Sequence, residues 1–342
     1  MVPKVMIILG SASDIEIAKK TMNILEKLEI PYSLKIASAH RTHELVSKIV
    51  IEATKAGVEV FIGIAGLAAH LPGSIASYTH RPVIGVPVDV KLEGIDALYA
   101  SVQMPYPTPV STVGIDRGDN AGLLAGQIIG VYDEKIRNNV SKLRAEYKQK
   151  VINSEKEVLE NINGKYLDKD FLSTENLDYE NQEYKPSFYI EEKKETGPSV
   201  AIVPGSYSDM VVAKKVAVVL GRLKIPYEMQ VISPVRHADK FENFVNSMED
   251  VKLFIGINGL SAQITGALVG LSEKPVIGVP CTTESHIDSL LSMINMPPGV
   301  PVGTVGINNG RNGAMLAGEI LALKNPKIEE NLKKIKYKKA NL

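Results

Sequence analysis

Short apolar runs that end at glycine or proline alternate with segments of helical periodicity in the first part of the chain. The run Val5–Leu9 is uninterrupted and ends at Gly10, a pattern typical of a strand buried on both faces of a parallel sheet. Further strands are predicted at 32–36, 58–65, 83–87 and 111–115. Helices are predicted to about Leu28, over 42–56, from the small-residue loop 66–73 and from Asn120. This alternation predicts an α/β fold with a parallel sheet and helices on both of its faces.

The same pattern occurs twice. Gly-Ser-Ala-Ser-Asp at 10–14 reappears as Gly-Ser-Tyr-Ser-Asp at 205–209, which is 195 positions later. Thr-Val-Gly-Ile at 112–115 reappears at 304–307, which is 192 positions later. Because the offset drifts so little over this distance, the sequence predicts a tandem duplication. Two copies with a long period favour tandem globular domains over a solenoid.

The copies are separated by two different kinds of segment. Residues 133–160 are charged and carry apolar residues at helical spacing, which predicts a long helix lying on another surface. Residues 161–198 are rich in Asn, Glu, Lys and Tyr without clear periodicity, which predicts an inter-domain linker. The predicted organisation is a first domain over 1–160, a linker over 161–198 and a second domain over 199–342.

Composition narrows the possible partners. Lys plus Arg number 39, as do Asp plus Glu, so the net charge is zero and favours neither nucleic acid nor a membrane surface. The single cysteine, Cys281, excludes a disulfide framework and fits a reducing compartment. The chain runs from Met1 directly into a short strand, and no apolar run approaches membrane-spanning length. We therefore expect a soluble cytoplasmic protein without a signal peptide and without nucleic-acid or membrane partners.

The first candidate functional motif lies between the first predicted strand and the helix that follows it. Ser11, Ser13 and Asp14 follow Gly10. A helix N-terminus with two hydroxyls suits a phosphate, and a carboxylate suits ribose hydroxyls. The same residue types are common helix caps, and on this segment alone capping is the better interpretation. Neither a dinucleotide fingerprint nor a P-loop is present.

The second motif is Ser38-Ala39-His40-Arg41-Thr42, at the end of the second predicted strand. Open α/β sheets build their sites at the carboxyl ends of strands. Histidine titrates near neutrality and can give and take a proton in one cycle, while arginine grips phosphate with two parallel hydrogen bonds. We therefore expect His40 to transfer a proton and Arg41 to bind phosphate. The competing interpretation is a solvated loop.

The third motif, 63–73, is rich in small residues such as Gly66 and Ala68. Small residues let a ligand approach the backbone, although tight helix–sheet packing requires them equally. His70 in this segment either contacts a ligand or caps a helix, and we favour the ligand. A metal site on His40 and His43 is disfavoured because no acidic or thiol ligand stands at useful spacing.

Taken together, these segments resemble the PurE family, the small carboxylase/mutase of purine biosynthesis. The family pattern is Gly-Ser-x-Ser-Asp, Ser-Ala-His-Arg-Thr, Ala-Gly-x-Ala-Ala-His-Leu-Pro-Gly, Pro-Val-Ile-Gly-Val-Pro, Gln-Met-Pro and Asn-Ala-Gly-Leu-Leu-Ala. The first copy carries all six motifs, at 10–14, 38–42, 65–73, 82–87, 103–105 and 120–125. The resemblance implies two flavodoxin-like three-layer α/β/α domains, each with a parallel sheet, and an octameric family assembly.

The resemblance also implies an activity that needs no cofactor: rearrangement of N5-carboxyaminoimidazole ribonucleotide (N5-CAIR) to its C4-carboxylated isomer (CAIR). By matching positions, His40 would protonate and deprotonate the reacting ring while CO2 is held in the pocket. The ribose-phosphate end would be bound by Ser11, Asp14 and Arg41, with Ser13 and Ser38 in support. The remaining substrate-binding positions implied are Ala39, Gly66, Ala68, His70 and Leu71.

This chain departs from the family pattern in two places. His43 stands where the family usually has proline. In the second copy, Val235 occupies the position of His40 and Gln263 that of His70, although Ser206, Ser208, Asp209, Ser233 and Arg236 are kept. We expect this copy to hold a phosphate at most, to be catalytically inactive and to be retained for assembly. Four two-domain chains would then reproduce the eight-domain assembly.

Two alternatives remain open. One branch of the family carboxylates 5-aminoimidazole ribonucleotide (AIR) directly with CO2, but it has Ser-Ala-His-Lys-Gly where this chain has Ser-Ala-His-Arg-Thr, which favours the mutase. The other alternative is a nucleotide-binding module without catalysis. The second copy fits that description, whereas the first copy has His40.

Overall fold

The computed structural model describes residues 2–165, 167–169, 197–282 and 287–338. We call 2–165 the first half, and 197–282 with 287–338 the second half. The strands of the first half are β1 Val5–Leu9, β2 Tyr32–Ile36, β3 Val60–Gly66, β4 Val83–Val88 and β5 Ser111–Thr112. Its helices are α1 Ile15–Lys27, α2 His43–Ala56, α3 Leu71–Tyr78, α4 Ile95–Val102, α5 Gly118–Gly130 and α6 Glu134–Asn161.

The second half repeats this order of elements. Its strands are β6 Val200–Pro204, β7 Tyr227–Met229, β8 Leu253–Asn258, β9 Val276–Pro280 and β10 Gly303–Thr304. Its helices are α7 Met210–Leu223, α8 Ala238–Ser247, α9 Gln263–Leu271, α10 Asp288–Ile294, α11 Gly310–Leu321 and α12 Pro326–Lys338. The duplication predicted from the sequence is therefore confirmed by the succession of elements.

All strands named above belong to one sheet, in the order β2-β1-β3-β4-β5-β10-β9-β8-β6-β7. Within each half the strands pair in parallel, which confirms the predicted α/β fold. The halves join where Thr112 of β5 pairs with Thr304 of β10 in antiparallel orientation. Because of this reversal, the carboxyl ends of the strands in the two halves lie at opposite edges of the sheet.

Alternate residues of the buried strands face two different helical layers. Ile7 of β1 belongs to the core cluster that includes residues of α1 and α5, whereas Ile8 belongs to the cluster that includes residues of α2 and α3. Both side chains are fully buried. A strand covered on both faces loses the alternation of polar and apolar residues, which explains the uninterrupted apolar runs in the sequence. The first half thus has the three layers expected of a flavodoxin-like domain.

The predicted boundaries are wrong by a few residues in two strands. The third strand begins at Val60 rather than at 58, and the fifth contains only Ser111–Thr112 rather than 111–115. Beyond β5 the chain packs against the second half, so closely that a Cβ on Gly114 would lie 2.8 Å from the carbonyl oxygen of Ile294. The predicted linker, 161–198, lies mostly outside the described residues.

The long helix α6 packs on α5 of the first half, where Val140 approaches Gly126, and it reaches the second half through Arg144. A helix lying on another surface is what its apolar spacing predicted. Ile136, Val140 and Leu143 are buried in the core, and the Arg144 guanidinium donates hydrogen bonds to the carbonyl oxygens of Ser272 and Val269. Among the described helices, none combines the length and the apolarity that crossing a membrane requires.

A pair of asparagines joins the halves reciprocally. The Asn120 side-chain amide donates to the carbonyl oxygens of Met296 (3.3 Å) and Pro297 (3.0 Å), and its oxygen accepts from the Gly299 backbone N–H at 3.0 Å. At the corresponding position in the repeat, the Asn312 amide donates to the carbonyl oxygens of Met104 (3.0 Å) and Pro105 (3.2 Å). Both asparagines are buried, so these contacts hold the two halves together away from solvent.

Candidate functional site

The segments that follow β1, β2 and β3 meet at one edge of the sheet. This is expected because β1 pairs in parallel with both β2 and β3, so their carboxyl ends are neighbours. The Arg41 guanidinium, after β2, donates to the Gly10 carbonyl oxygen, after β1, at 3.4 Å. The His40 ring, also after β2, contacts the His70 ring, after β3. The three sequence motifs therefore form a single candidate site.

The turn after β1 is held by internal hydrogen bonds. The Ser11 backbone N–H donates to Asp14 Oδ2 at 3.2 Å, the Ser13 N–H donates to Ser11 Oγ at 3.3 Å, and Ser13 Oγ donates to Asp14 Oδ1 at 3.1 Å. Asp14 is only 4% exposed. Burial raises the pKa of Asp14, and the hydrogen bonds from Ser13 and Ser11 oppose that rise. The turn is thus a preformed cap that leaves Ser11 and Ser13 at the surface.

The loop after β2 closes on itself. The Ser38 N–H donates to Thr42 Oγ1 at 2.9 Å, the Thr42 N–H donates to the Ser38 carbonyl oxygen at 2.9 Å, and the Arg41 N–H donates to Ser38 Oγ at 3.2 Å. His40 and Arg41 are left exposed at its tip. Within the described ranges Arg41 forms no ion pair with a carboxylate, so its charge can serve an anionic ligand.

The two imidazoles form the most direct chemical contact in the site. His40 Nε2 lies 2.9 Å from His70 Nδ1, and the rings meet edge to face with centroids 5.0 Å apart and an angle of 71°. At this distance one nitrogen donates a proton to the lone pair of the other. A hydrogen bond between the two rings orients each relative to the other.

The small residues after β3 shape the space around the imidazoles. A Cβ on Gly66 would lie 2.4 Å from Val90 Cγ2, so no larger residue fits there without displacement of its neighbours. Ala68 is exposed, and Ala39 packs against the core on the α2 and α3 side. The Leu71 side chain is 2% exposed and lies in that core, so only its backbone is placed to contact a ligand.

One contact at this site was not predicted from the sequence. His43 Nε2 lies 2.7 Å from the Tyr78 hydroxyl, at the end of α3. His40 and His43 therefore face different partners rather than a shared ion. Among the described residues, no group of three or more His, Cys, Asp or Glu side chains is arranged to hold a metal.

The second half keeps backbone hydrogen bonds of the first two turns of the site but not the imidazoles. The Ser206 N–H donates to Asp209 Oδ2 at 3.0 Å, and the His237 N–H donates to the Ser233 carbonyl oxygen at 3.0 Å, as Ser11 and Thr42 do in the first half. Val235 stands in the place of His40 and is 68% exposed. Arg236 is exposed as well. The half thus presents hydroxyls and a guanidinium at the opposite edge of the sheet without a histidine pair.

The lone thiol lies near this second turn. Burial first, and the neighbouring Asp209 second, raise the pKa of Cys281 to about 12. The thiol is therefore protonated at neutral pH and is not a nucleophile.

Comparisons with known proteins agree with the duplication. The family model described as AIR carboxylase matches residues 4–150 and again residues 199–341. A protein of Methanobrevibacter smithii named "Probable N5-carboxyaminoimidazole ribonucleotide mutase" is 59% identical over 343 residues, covering 100% of both chains. A protein of Methanothermobacter thermautotrophicus with the same name is 56% identical over 337 residues, covering 98% of both.

A shorter relative matches only one of the two copies. The N5-carboxyaminoimidazole ribonucleotide mutase of Methanocaldococcus jannaschii is 53% identical over 154 residues, which are 45% of this chain and 96% of its own. One copy of the pattern therefore makes up nearly that whole protein. With a separate match to each half, the chain belongs to the AIR carboxylase family as a tandem duplication.

Proposed function

We propose that the first half converts N5-CAIR to CAIR in de novo purine biosynthesis, with His40 as general acid and base. The observation that carries this proposal is the 2.9 Å contact between His40 and His70 beside the exposed Arg41. It is supported by the names of the two full-length relatives. The substrate is a small ribonucleotide, and CO2 is the group transferred.

The substrate is held at its ribose-phosphate end. Arg41 and the Ser11 and Ser13 hydroxyls bind the phosphate, because a guanidinium and hydroxyls match its oxygens and charge. Asp14 accepts from a ribose hydroxyl that takes the place of the Ser13 hydroxyl at Asp14 Oδ1. Ser38 supports the Arg41 loop by accepting a hydrogen bond from the Arg41 N–H at 3.2 Å. The pocket for the aminoimidazole ring is lined by Gly66, by Ala68 and by the backbone at Ala39 and Leu71.

In the first chemical step, the carboxyl group leaves the exocyclic nitrogen. Protonated His40 donates its proton to that nitrogen while the N–C bond breaks, so CO2 and AIR are formed and His40 becomes neutral. CO2 stays in the pocket, where its effective concentration is high. His70 orients the His40 ring through their shared hydrogen bond.

In the second step, the carboxyl group is attached to carbon. C4 of the enamine-like ring attacks CO2, and the new C–C bond leaves C4 with both a hydrogen and a carboxylate. Neutral His40 then removes that hydrogen as a proton, which restores the aromatic ring and returns His40 to its protonated state. Atoms, charge and protons balance over the cycle without any further reactant.

For the assembly, we propose a homo-oligomer of four chains that presents eight family-type domains. The proposed domains are 1–160 and 199–342, joined by 161–198, and the two family-model matches support these bounds. The joined sheet and the reciprocal asparagines hold two such units in one chain. Native mass spectrometry is expected to give four chains per particle. We further propose that the enzyme is cytoplasmic.

The experiment compares two substrates. Purified wild-type protein is given either N5-CAIR or AIR with bicarbonate, and CAIR is followed by chromatography. The mutase proposal predicts efficient turnover of N5-CAIR that His40→Asn abolishes. Efficient turnover of AIR with CO2, and not of N5-CAIR, would instead establish direct carboxylation.

A further inference from the structure

His43 and Tyr78 form a contact next to the proposed active site. His43 is the first residue of α2 and Tyr78 is the last residue of α3. The imidazole Nε2 and the hydroxyl oxygen are 2.7 Å apart, and the rings meet edge to face with centroids 5.8 Å apart. The contact therefore ties the beginning of one helix to the end of the other.

These two helices carry the imidazole pair. His40 lies in the loop directly before α2, and His70 directly precedes α3. At its other end α2 is tied to the same region by a 2.8 Å hydrogen bond between the Thr54 and Thr79 hydroxyls. The helix thus has one tie near the His40 loop and one far from it.

The loop itself depends on outside support for its orientation. Its hydrogen bonds between Ser38 and Thr42 run within the loop, and Ala39 is its residue that packs against the core on the side of α2 and α3. The Arg41 bond to the Gly10 carbonyl oxygen is long, at 3.4 Å. The tie at His43 acts next to the loop, and it fixes the start of α2 relative to α3.

The second half provides an internal comparison. There, α8 begins at Ala238, which corresponds to His43, and α9 ends at Leu271, which corresponds to Tyr78. Neither side chain can form a hydrogen bond. The half that lacks the imidazole pair therefore also lacks the tie.

From this geometry we propose that His43 and Tyr78 are positioning residues that hold His40 against His70 for the reaction proposed above. They act through the loop and do not touch the substrate. A small displacement of a proton-transfer group slows the chemical step more than it weakens binding.

Three variants test the tie and one serves as a control. Tyr78→Phe removes only the hydroxyl. His43→Pro removes the imidazole while keeping the helix start, because proline is well tolerated at the first position of a helix. His43→Gln keeps an amide that can still bond the Tyr78 hydroxyl. Thr54→Val removes the hydrogen bond between the end of α2 and Thr79, the residue that follows α3.

With N5-CAIR as substrate, Tyr78→Phe and His43→Pro are expected to lower kcat about three- to tenfold with KM changed less than about twofold. His43→Gln is expected to restore most of kcat. The double variant His43→Pro/Tyr78→Phe is expected to be no slower than either single variant, because both break the same contact. Thr54→Val is expected to keep the wild-type kcat.

The proposal is overturned if Tyr78→Phe keeps the wild-type kcat or if Thr54→Val loses as much. The proposal rests on the proposed function, and inactivity of the wild-type protein with N5-CAIR would refute that function alone. In that case histidine-ring NMR of the full chain decides the positioning role. Shifted His40 and His70 signals in Tyr78→Phe, with unchanged signals in Thr54→Val, support it, and unchanged signals in both overturn it.

Discussion

The two halves of this chain share backbone hydrogen bonds in the first two turns of their candidate sites and carry different side chains on them. The third turn differs, because Ala262 has a φ of +46° and its counterpart Ala69 is not in the left-handed region. The turn at Ser206 and Asp209 repeats the hydrogen bond of the turn at Ser11 and Asp14, 3.0 Å against 3.2 Å. The side chains to which we assign proton transfer and its positioning are those that differ: Val235, Gln263, Ala238 and Leu271 replace His40, His70, His43 and Tyr78.

This difference teaches that the fold does not depend on the side chains to which we assign catalysis. The turns are fixed by caps and by the sheet, so imidazoles at the surface can be lost without cost to the core. Because the strands of the two halves run in opposite directions, the corresponding loops of the second half lie at the opposite edge of the sheet from the site of the first. The two halves therefore serve as matched controls for each other.

The largest expected effect is a difference in kcat between substitutions at His40 and at Val235, which occupy equivalent positions in the two halves. His40→Asn is expected to lower kcat on N5-CAIR by at least about 100-fold, the usual contribution of a proton-transfer group. Val235→Asn places the same side chain at the equivalent exposed position and is expected to leave kcat unchanged. Steady-state assays of both variants at equal protein concentration check this. A loss of kcat in Val235→Asn would show that the second half takes part in turnover.

The next largest expected effect is a difference in KM between substitutions at Arg41 and at Arg236. Arg41→Met is expected to raise KM for N5-CAIR about 10- to 100-fold, because a charge-assisted contact to phosphate is lost. Arg236→Met removes the corresponding charge in the second half and is expected to leave KM within about twofold. Equal increases of KM in both variants would contradict a single working site.

A third effect concerns pH and the contact of His80 with α12. His80 Nε2 lies 2.8 Å from Glu329 Oε1. Burial first, and then the charges of Lys333 and Arg81, lower the pKa of His80 to about 4, against the opposing effect of Glu329. Unfolding returns the group to its ordinary pKa of 6.5. Between these values the unfolded chain binds a proton that the folded chain does not, so stability is full above pH 6.5 and falls toward pH 4.

From pH 7 to pH 5, this group is expected to remove about 2 kcal/mol from the free energy of unfolding. His80→Gln keeps a hydrogen-bond donor for Glu329 but does not titrate, so its stability is expected to fall less over the same range. Urea unfolding of both proteins at the two pH values measures the difference. Equal losses in wild type and variant would refute the assignment to His80.

The smallest effect separates the two buried asparagines that join the halves. Asn120 also accepts from the Gly299 N–H, whereas the residue that corresponds to Gly299 is Pro107, which has no N–H, and Asn312 Oδ1 has no partner among the described residues. Asn120→Ala is therefore expected to destabilise the protein by about 1 kcal/mol more than Asn312→Ala. Urea unfolding at pH 7 measures the free energy of unfolding of both variants. An equal or larger loss in Asn312→Ala would contradict a contribution from the Gly299 hydrogen bond.

Much of the fold was predictable because it is encoded locally. The run at 32–36 is β2 to the residue, and the helix predicted over 42–56 ends at Ala56, before Gly57, where φ is +100° and glycine is favoured. The joined sheet was not predicted. It depends on one antiparallel pair, Thr112 with Thr304, and a strand of two residues carries no periodicity to detect.

The sequence predicted which residues belong to the candidate site but not which side chains contact each other there. The carboxyl ends of neighbouring parallel strands must meet, so the motifs at Ser11, His40 and His70 could be grouped from the sequence. The partnership of His43 with Tyr78 could not, because it depends on how two helices cross and not on their spacing along the chain. The catalytic and binding roles of these residues stay predictions until they are measured.

The most direct test of the central claim follows the carboxyl carbon. N5-CAIR labelled with 13C in its carboxylate is given to the enzyme in the presence of excess unlabelled bicarbonate, and CAIR is analysed by mass spectrometry. The account predicts labelled CAIR from wild type and from Val235→Asn, and none above the uncatalysed background from His40→Asn. Unlabelled CAIR from the wild-type enzyme, or labelled CAIR from His40→Asn at the wild-type rate, would contradict it.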